Sequence, residues 1–497
     1  MSLPIATVTT VTTTSSPKFP YSHSNSMPNN RRAYLDGLRG FAALLVYILH
    51  HQLWAHESQG HIFQNAWGYQ DEKYFATLPW IRTLFSGGHY AVSVFFVLSG
   101  YVLSNKPLRI IHHCQQLQQQ QEQEQEQEKY ICVHSEVKQQ QQQQQEKEQQ
   151  HLQGQLANHL ASALFRRWIR LHLPLIVTTF VYVLVVHALG IHTESQTITT
   201  TTTTTTSLKT ELWHWYAEIK NFTFIFRSGG EPWFSYNFHA WSIPIEFRGS
   251  VLVFTALLAF FRTRTKRARI FGWISLIFYF LYIVDGWFCA LFLGGVLLCD
   301  LDNTTTTTTS INATTKNNLY YHIPLLISIY LGGIPSHSSS TEVLQNSPGW
   351  GGLATYLKPS AMLDYKWFYL FWASTLLVWT IPRIHWLVRF FESPFNLYLG
   401  RISFALYLVH GPVLWTLGDR VYAAVGWRRI SHFSVCPGWI DLWPLRKGGP
   451  LGLELAFVVP QLLLFPVTLW LAEVVTRVVD DPCVRLSRWL EVVWRGD

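Results

Sequence analysis

The chain has 497 residues, of which 48% are hydrophobic and only 14% charged, with 22 Trp and 32 Phe. Its net charge of +8 does not point to nucleic acid, because Arg and Lys gather at the ends of apolar runs, as the positive-inside rule expects. The six cysteines (Cys114, Cys132, Cys289, Cys299, Cys436, Cys483) form no CxxC pair and no metal-ligand spacing, so neither a disulfide framework nor a zinc site can be argued.

The stretch up to Asn30 is rich in Thr, Ser and Pro; residues 1–30 are expected to be disordered and not a cleavable signal. Apolar runs near the ~20 residues that cross a bilayer then recur along the chain. They predict an all-α polytopic helix bundle with about ten transmembrane helices, near 38–54, 89–105, 171–190, 246–261, 270–284, 286–300, 320–334, 367–382, 402–418 and 452–473. Only Asp285-Gly286 separates the fifth from the sixth, which implies a tight hairpin or one long helix. The bundle domain is placed at 31–478, with a basic interfacial tail at 479–497. Residues 115–150 are mostly Gln and Glu, broken by a patch at Tyr130–Val133, and 196–207 and 303–315 are Thr-rich. None can bury a core, so each is expected to be a solvated, disordered insertion, with a charged helix as the alternative for the Gln-rich one.

Basic residues set the orientation. With ten spans, Arg31, Arg32, Arg39, Arg166, Arg167, Arg170, the run from Arg262 to Arg269, Arg383, Arg389, Arg401 and Arg477 to Arg495 fall on one side. Both termini of this integral membrane protein are therefore expected in the cytoplasm. Arg420, Arg428, Arg429, Arg446 and Lys447 break the pattern. Of the sequons at Asn221, Asn303 and Asn312, only the first falls outside in this topology.

The first span opens Tyr34-Leu-Asp-Gly-Leu-Arg39-Gly40 and stays apolar to His50. Arg39 and His50 are eleven positions apart, which returns to within ~20° of the same helix face and spans ~16 Å along the axis. A coenzyme A thioester has about those needs: phosphates held by cations at the aqueous edge, and its thioester delivered deeper. A neutral imidazole there can take the proton of an attacking hydroxyl. In the bland alternative Arg39 obeys the positive-inside rule and His50 ends the apolar run, with His51 and His56 close behind. Ionisable groups inside a span are costly, however, and by default mark function.

The segment from Tyr34 through Arg39 to His50 resembles the opening motif of the acyltransferase-3 family of membrane O-acyltransferases, whose signature is an arginine and a histidine with ten residues between them. Ala91-Val-Ser-Val-Phe95-Phe96-Val-Leu-Ser99-Gly100 resembles its Phe-Phe-x-x-Ser-Gly motif, and Trp241-Ser242-Ile-Pro-Ile-Glu246 its Trp-Ser-x-x-x-Glu element. Ser403-Phe-Ala-Leu-Tyr407-Leu-Val-His410 is similar to its late Ser-x-x-x-Tyr-Leu-x-His helix, and Arg166-Arg167-Trp-Ile-Arg170 to the basic run that opens its third helix. Arg248-Gly249-Ser250 and the low-complexity tracts look like a fungal-type branch. Ala91 and Ser93 stand where the family usually has Gly and Asp.

The resemblance implies acyl-CoA (acetyl-CoA) as donor substrate with no bound cofactor, and an acceptor hydroxyl on a carbohydrate, lipid or small metabolite. It makes His50 the base, with Arg39 placing the donor phosphates or polarising the thioester carbonyl; an acyl-histidine intermediate stays open. Glu246 either orients His50 or the acceptor, or pairs with Arg248 or another cation. Trp241, Tyr407, His410 and Ser99 are expected to line the substrate site, with Ser99-Gly100 read as permitting close helix packing ahead of supplying a nucleophile. Arg166 and Arg170 are expected near the donor phosphates. The rivals are a transporter or flippase built on buried Arg39 and His50, and a catalytically dead relative.

Overall fold

A computed structural model gives the fold of residues 33–128, 135–191, 193, 207–226, 232–308 and 319–495. The expected disordered lead-in at 1–30, the Tyr130–Val133 patch, most of the Thr-rich stretches and Asn312 lie outside these described residues. Among the described residues there is no strand. The main helices are α1 (Ala33–Ala55), α2 (Gly88–Glu128), α3 (Ser135–Ala188), α4 (Leu208–Phe222), α5 (Ser242–Ala259) and α6 (Lys266–Phe278). They continue with α7 (Trp287–Thr308), α8 (His322–Gly332), α9 (Tyr365–Thr380), α10 (Pro394–Val413), α11 (Leu455–Val475) and α12 (Asp481–Arg495).

Five helical stretches are long and apolar enough to cross a membrane: Gly88–Gln123, Glu146–Ala188, Ser235–Ala259, Pro394–Ala424 and Leu455–Arg495. The other five runs expected to cross are helical too, but shorter or more polar. The α6 helix has 13 residues, α8 has 11 and α9 has 16, while α1 carries Asp36, Arg39, His50 and His51 and α7 carries Asp300 and Asp302. Between α6 and α7 the chain makes the tight hairpin that Asp285-Gly286 implies. Arg269 and Trp273 of α6 both reach Asp300 of α7 across it.

In its described residues the Gln-rich segment takes the helical one of its two expected forms. Its described parts are helical and prolong α2 and α3. At 1.5 Å per residue, the 41 residues of α2 and 54 of α3 reach roughly 60 and 80 Å, far beyond a ~30 Å hydrocarbon layer. Gln and Glu are good helix formers, so an apolar helix entering such a tract has no reason to stop. Gln149 donates to Gln121 across the pair at 2.9 Å.

Two glycine crossings set the interior. An added Cβ on Gly40 would lie 2.4 Å from the backbone nitrogen of Gly400, and one on Gly400 would lie 2.2 Å from the carbonyl oxygen of Asp36. An added Cβ on Gly100 would meet the Phe292 carbonyl oxygen at 1.9 Å, and one on Gly295 the Val97 carbonyl oxygen at 2.0 Å. Only glycine lets backbones come this close. Contacts advance together along both chains, so α1 and α10 run parallel, as do α2 and α7.

Candidate active site

The α1–α10 crossing brings the functional side chains together. Ten residues beyond Gly40 stands His50, and ten beyond Gly400 stands His410, each ~15 Å along its axis. Because the helices run parallel from one crossing, the two rings meet, with His50 Nδ1 2.9 Å from His410 Nε2.

Backbone geometry assigns the protons. The Nδ1 of His410 lies 2.8 Å from the Tyr407 carbonyl oxygen and 3.2 Å from that of Leu406. Carbonyls only accept, so this nitrogen carries hydrogen. In the neutral ring Nε2 is then an acceptor, His50 Nδ1 must donate to it, and the lone pair of His50 is left on Nε2. The exposure pattern singles out the same residue. His51 and His56 are fully buried, the first on the Tyr422 hydroxyl and the second between the Gln52 carbonyl and Glu454. His50 is half-buried.

A third imidazole, His239, lies flat on His50, with ring centroids 3.6 Å apart and planes within 9°. It arrives on the 3₁₀ stretch Ser235–Trp241, which Asn237 interrupts with an extended conformation at φ −161°. The late helix holds that stretch: Tyr407 donates its hydroxyl to the His239 carbonyl, Ser242 bonds the Tyr407 oxygen at 2.8 Å, and the Asn237 amide donates to the Leu408 carbonyl at 3.0 Å. Trp415 packs 5.1 Å from the His239 ring. Around this stack, His239 Nδ1, Asn237 Oδ1 and Trp415 Nε1 are buried without a hydrogen-bond partner. Native interiors rarely leave such atoms unmet, and a substrate's hydroxyl and carbonyl groups would satisfy them.

The three rings also have the composition of a metal site, with nitrogens within 4.8 Å of one another. Their planes lie within 15° of parallel, however, so their in-plane lone pairs form a hydrogen bond and a stack and do not converge on one point. A second such group, Asp419, His432 and Cys436, is likewise occupied. The Arg429 amide donates to His432 Nδ1 at 3.2 Å, so His432 Nε2 carries the proton that reaches Asp419 at 2.8 Å. Burial beside Asp419 pushes the Cys436 thiol up to about 11.

Glu246 stands one turn beyond Ser242 on α5. It accepts hydrogen bonds from Ser99 and from Arg167 Nη2, the latter at 2.5 Å, and Arg167 also donates to Ser250 at 2.9 Å. The expected cation partner is therefore Arg167; Arg248 instead donates to the Ile225 carbonyl at 2.7 Å. No hydrogen bond links Glu246 to His50 among the described residues. Ser99 thus binds a carboxylate while the adjacent Gly100 permits the helix crossing. Trp241 packs edge-on against Trp367 at 5.9 Å, and Trp367 stacks on Trp287 at 3.9 Å. Arg166 turns away to Glu491 of α12 at 3.2 Å. Arg39 pairs with Asp36 at 3.7 Å and keeps 42% of its side chain exposed. Arg170 lies within Coulombic reach of Arg39 and Arg167.

The family model described as an acyltransferase domain, acyltransferase-3, matches residues 32–476. The chain belongs to the acyltransferase-3 family. It is an acyltransferase, and its apolar helices make it a membrane protein. A curated relative, the O-acetyltransferase PaAT-1 of Phomopsis amygdali, is 26% identical over 490 residues, covering 92% of this chain and 84% of that protein. No solved structure matches the acyltransferase. Of the residues named from sequence, the fold brings His50, Tyr407 and His410 together and sets Ser99 on Glu246. Sequence reasoning missed His239, Asn237 and Trp415. His239 stands two residues before Trp241 in an aromatic-rich stretch, where no spacing marks it; only its stacking on His50 reveals it.

Proposed function

We propose that the protein is an O-acyltransferase that moves an acetyl group from acetyl-CoA to a hydroxyl of a carbohydrate, lipid or small metabolite, with His50 as general base. The observation that carries this reading is the 2.9 Å contact between His50 Nδ1 and His410 Nε2, which leaves a lone pair on His50 Nε2. The acceptor oxygen attacks the thioester carbonyl carbon while its proton passes to Nε2. The C–S bond then breaks, and the imidazolium returns the proton to the departing thiolate, so ester and free thiol leave together. His410 holds the reactive tautomer, and the His239 face supports the charged ring. The relative PaAT-1 is an O-acetyltransferase, which supports the acyl group and the kind of acceptor.

The topology belongs to the same proposal: about ten crossings, with both termini in the cytoplasm. Parallel α1 and α10 suit a first and a ninth crossing, and parallel α2 and α7 a second and a sixth. Arg39 and Arg170 then lie at the cytoplasmic mouth, where the phosphates of the donor enter.

The test is release of free thiol from acetyl-CoA by the purified protein in detergent, on pooled glycans, lipids and small metabolites, beside His50→Ala. Acceptor-dependent release that vanishes in the variant supports the base. Full activity in the variant removes His50 from the chemistry, and a wild type that never binds acetyl-CoA removes the donor.

A further inference from the structure

The family match ends at residue 476, and the helix beyond it, α12, packs back onto α3. Glu491 of α12 pairs with Arg166 at 3.2 Å, Arg495 donates to the Asn158 carbonyl at 3.1 Å, and Ser487 and Cys483 are buried beneath the helix. This docking sets Arg488, which is exposed, within Coulombic reach of Arg170, beside Arg39 and Arg167. Three other guanidinium groups, on α1, α3 and α12, thus act on Arg170. Arg167 is committed to Glu246, and among the described residues the one ion pair of Arg39 is its long contact to Asp36. Arg170 and Arg488 make no hydrogen bond or ion pair with any described residue; the nearby carboxylate of Asp480 is the one acid that acts on Arg170. Two of the four, Arg170 and Arg488, are thus like charges with no bonded counter-ion; such a pair favours a polyanion, and guanidinium forks match phosphate oxygens.

We propose that α12, outside the matched family domain, completes the donor's phosphate site by supplying Arg488 opposite Arg170 and Arg39. This rests on the acyl-CoA reading above. The helix acts as a clasp: Glu491 and Arg166 fix its position, and Arg488 reaches the anion. The same chemistry would suit the phosphate of a lipid headgroup, so the two sources have to be separated.

The experiment measures direct binding of acetyl-CoA to the full-length protein, first in lipid-free detergent and then in nanodiscs of neutral or anionic phospholipid. Wild type is compared with Arg488→Glu and Arg488→Lys. The expected result is a Kd raised about tenfold by Arg488→Glu, equivalent to ~1.4 kcal/mol, in all three settings. Arg488→Lys, which keeps the positive charge, recovers most of the loss. An unchanged Kd in Arg488→Glu, with wild type binding normally, overturns the clasp and leaves the donor reading standing. A defect confined to anionic nanodiscs also overturns it and gives Arg488 to the lipid. A wild type that does not bind acetyl-CoA overturns the reading beneath.

Discussion

Two polar centres lie inside this membrane acyltransferase, and they are built on opposite terms. At the α6–α7 hairpin, Arg269 and Asp300 are both fully buried. They form two parallel hydrogen bonds of 2.8 and 2.9 Å, while Gln115, His112 and Trp273 take up the remaining positions. At the α1–α10 crossing, the histidine stack leaves three buried polar atoms unmet and His50 half-open. A satisfied network in a low dielectric stiffens the fold and has nothing left to offer a ligand. An unsatisfied one is poorer as structure and better as a binding surface.

That contrast can be broken at either centre. His50→Ala has the largest expected effect, a loss of about 10³-fold in kcat, within the range for a general base, with the detergent melting temperature unchanged. Asp300→Ala has the reverse signature: it strands a buried guanidinium and costs about 3–5 kcal/mol of stability, read as a fall in melting temperature and yield. Pairing it with Arg269→Met sharpens the point, because removing both charges restores most of the stability. If the single variant melts like wild type, the hairpin centre is not structural.

Smaller effects separate proximity from chemistry. Gly400→Val alters none of the three histidines but forces the crossing apart. Overpacking of this kind costs about 1–3 kcal/mol, and kcat should fall because the 2.9 Å His50–His410 contact opens. Asn237→Leu removes the bond to the Leu408 carbonyl, at a cost of about 1 kcal/mol, and should raise the acceptor's KM more than the donor's. The least effect is at Cys436, whose thiol is held protonated to about pH 11. A maleimide at pH 7 should leave it unmodified in the folded protein and label it after denaturation.

These residues also mark how far the sequence can be followed. Arg39 and His50 were legible because both lie on one helix, where spacing fixes the relative face. Tyr407 and His410 were legible for the same reason. His239 was not: its position depends on an extended residue at Asn237 and on two bonds from a helix about 170 residues further on. The partner of Glu246 was open in the same way, since helical periodicity cannot tell Arg167 on α3 from Arg248 two residues away. The Gln-rich segment was open too, between a disordered loop and a charged helix. Composition excludes a core but does not forbid a helix that two neighbouring helices have already nucleated.

The equal intervals from Gly40 to His50 and from Gly400 to His410 behave like the teeth of two meshed racks. One residue inserted into either interval turns its histidine by about 100° and slides it ~1.5 Å, so neither interval tolerates a change of length. The Gln repeats lie where α2 and α3 run past the bundle, and adding or deleting residues there moves only the far tip. Repeat tracts in this chain are thus free to drift in length while the register of the two histidines stays locked.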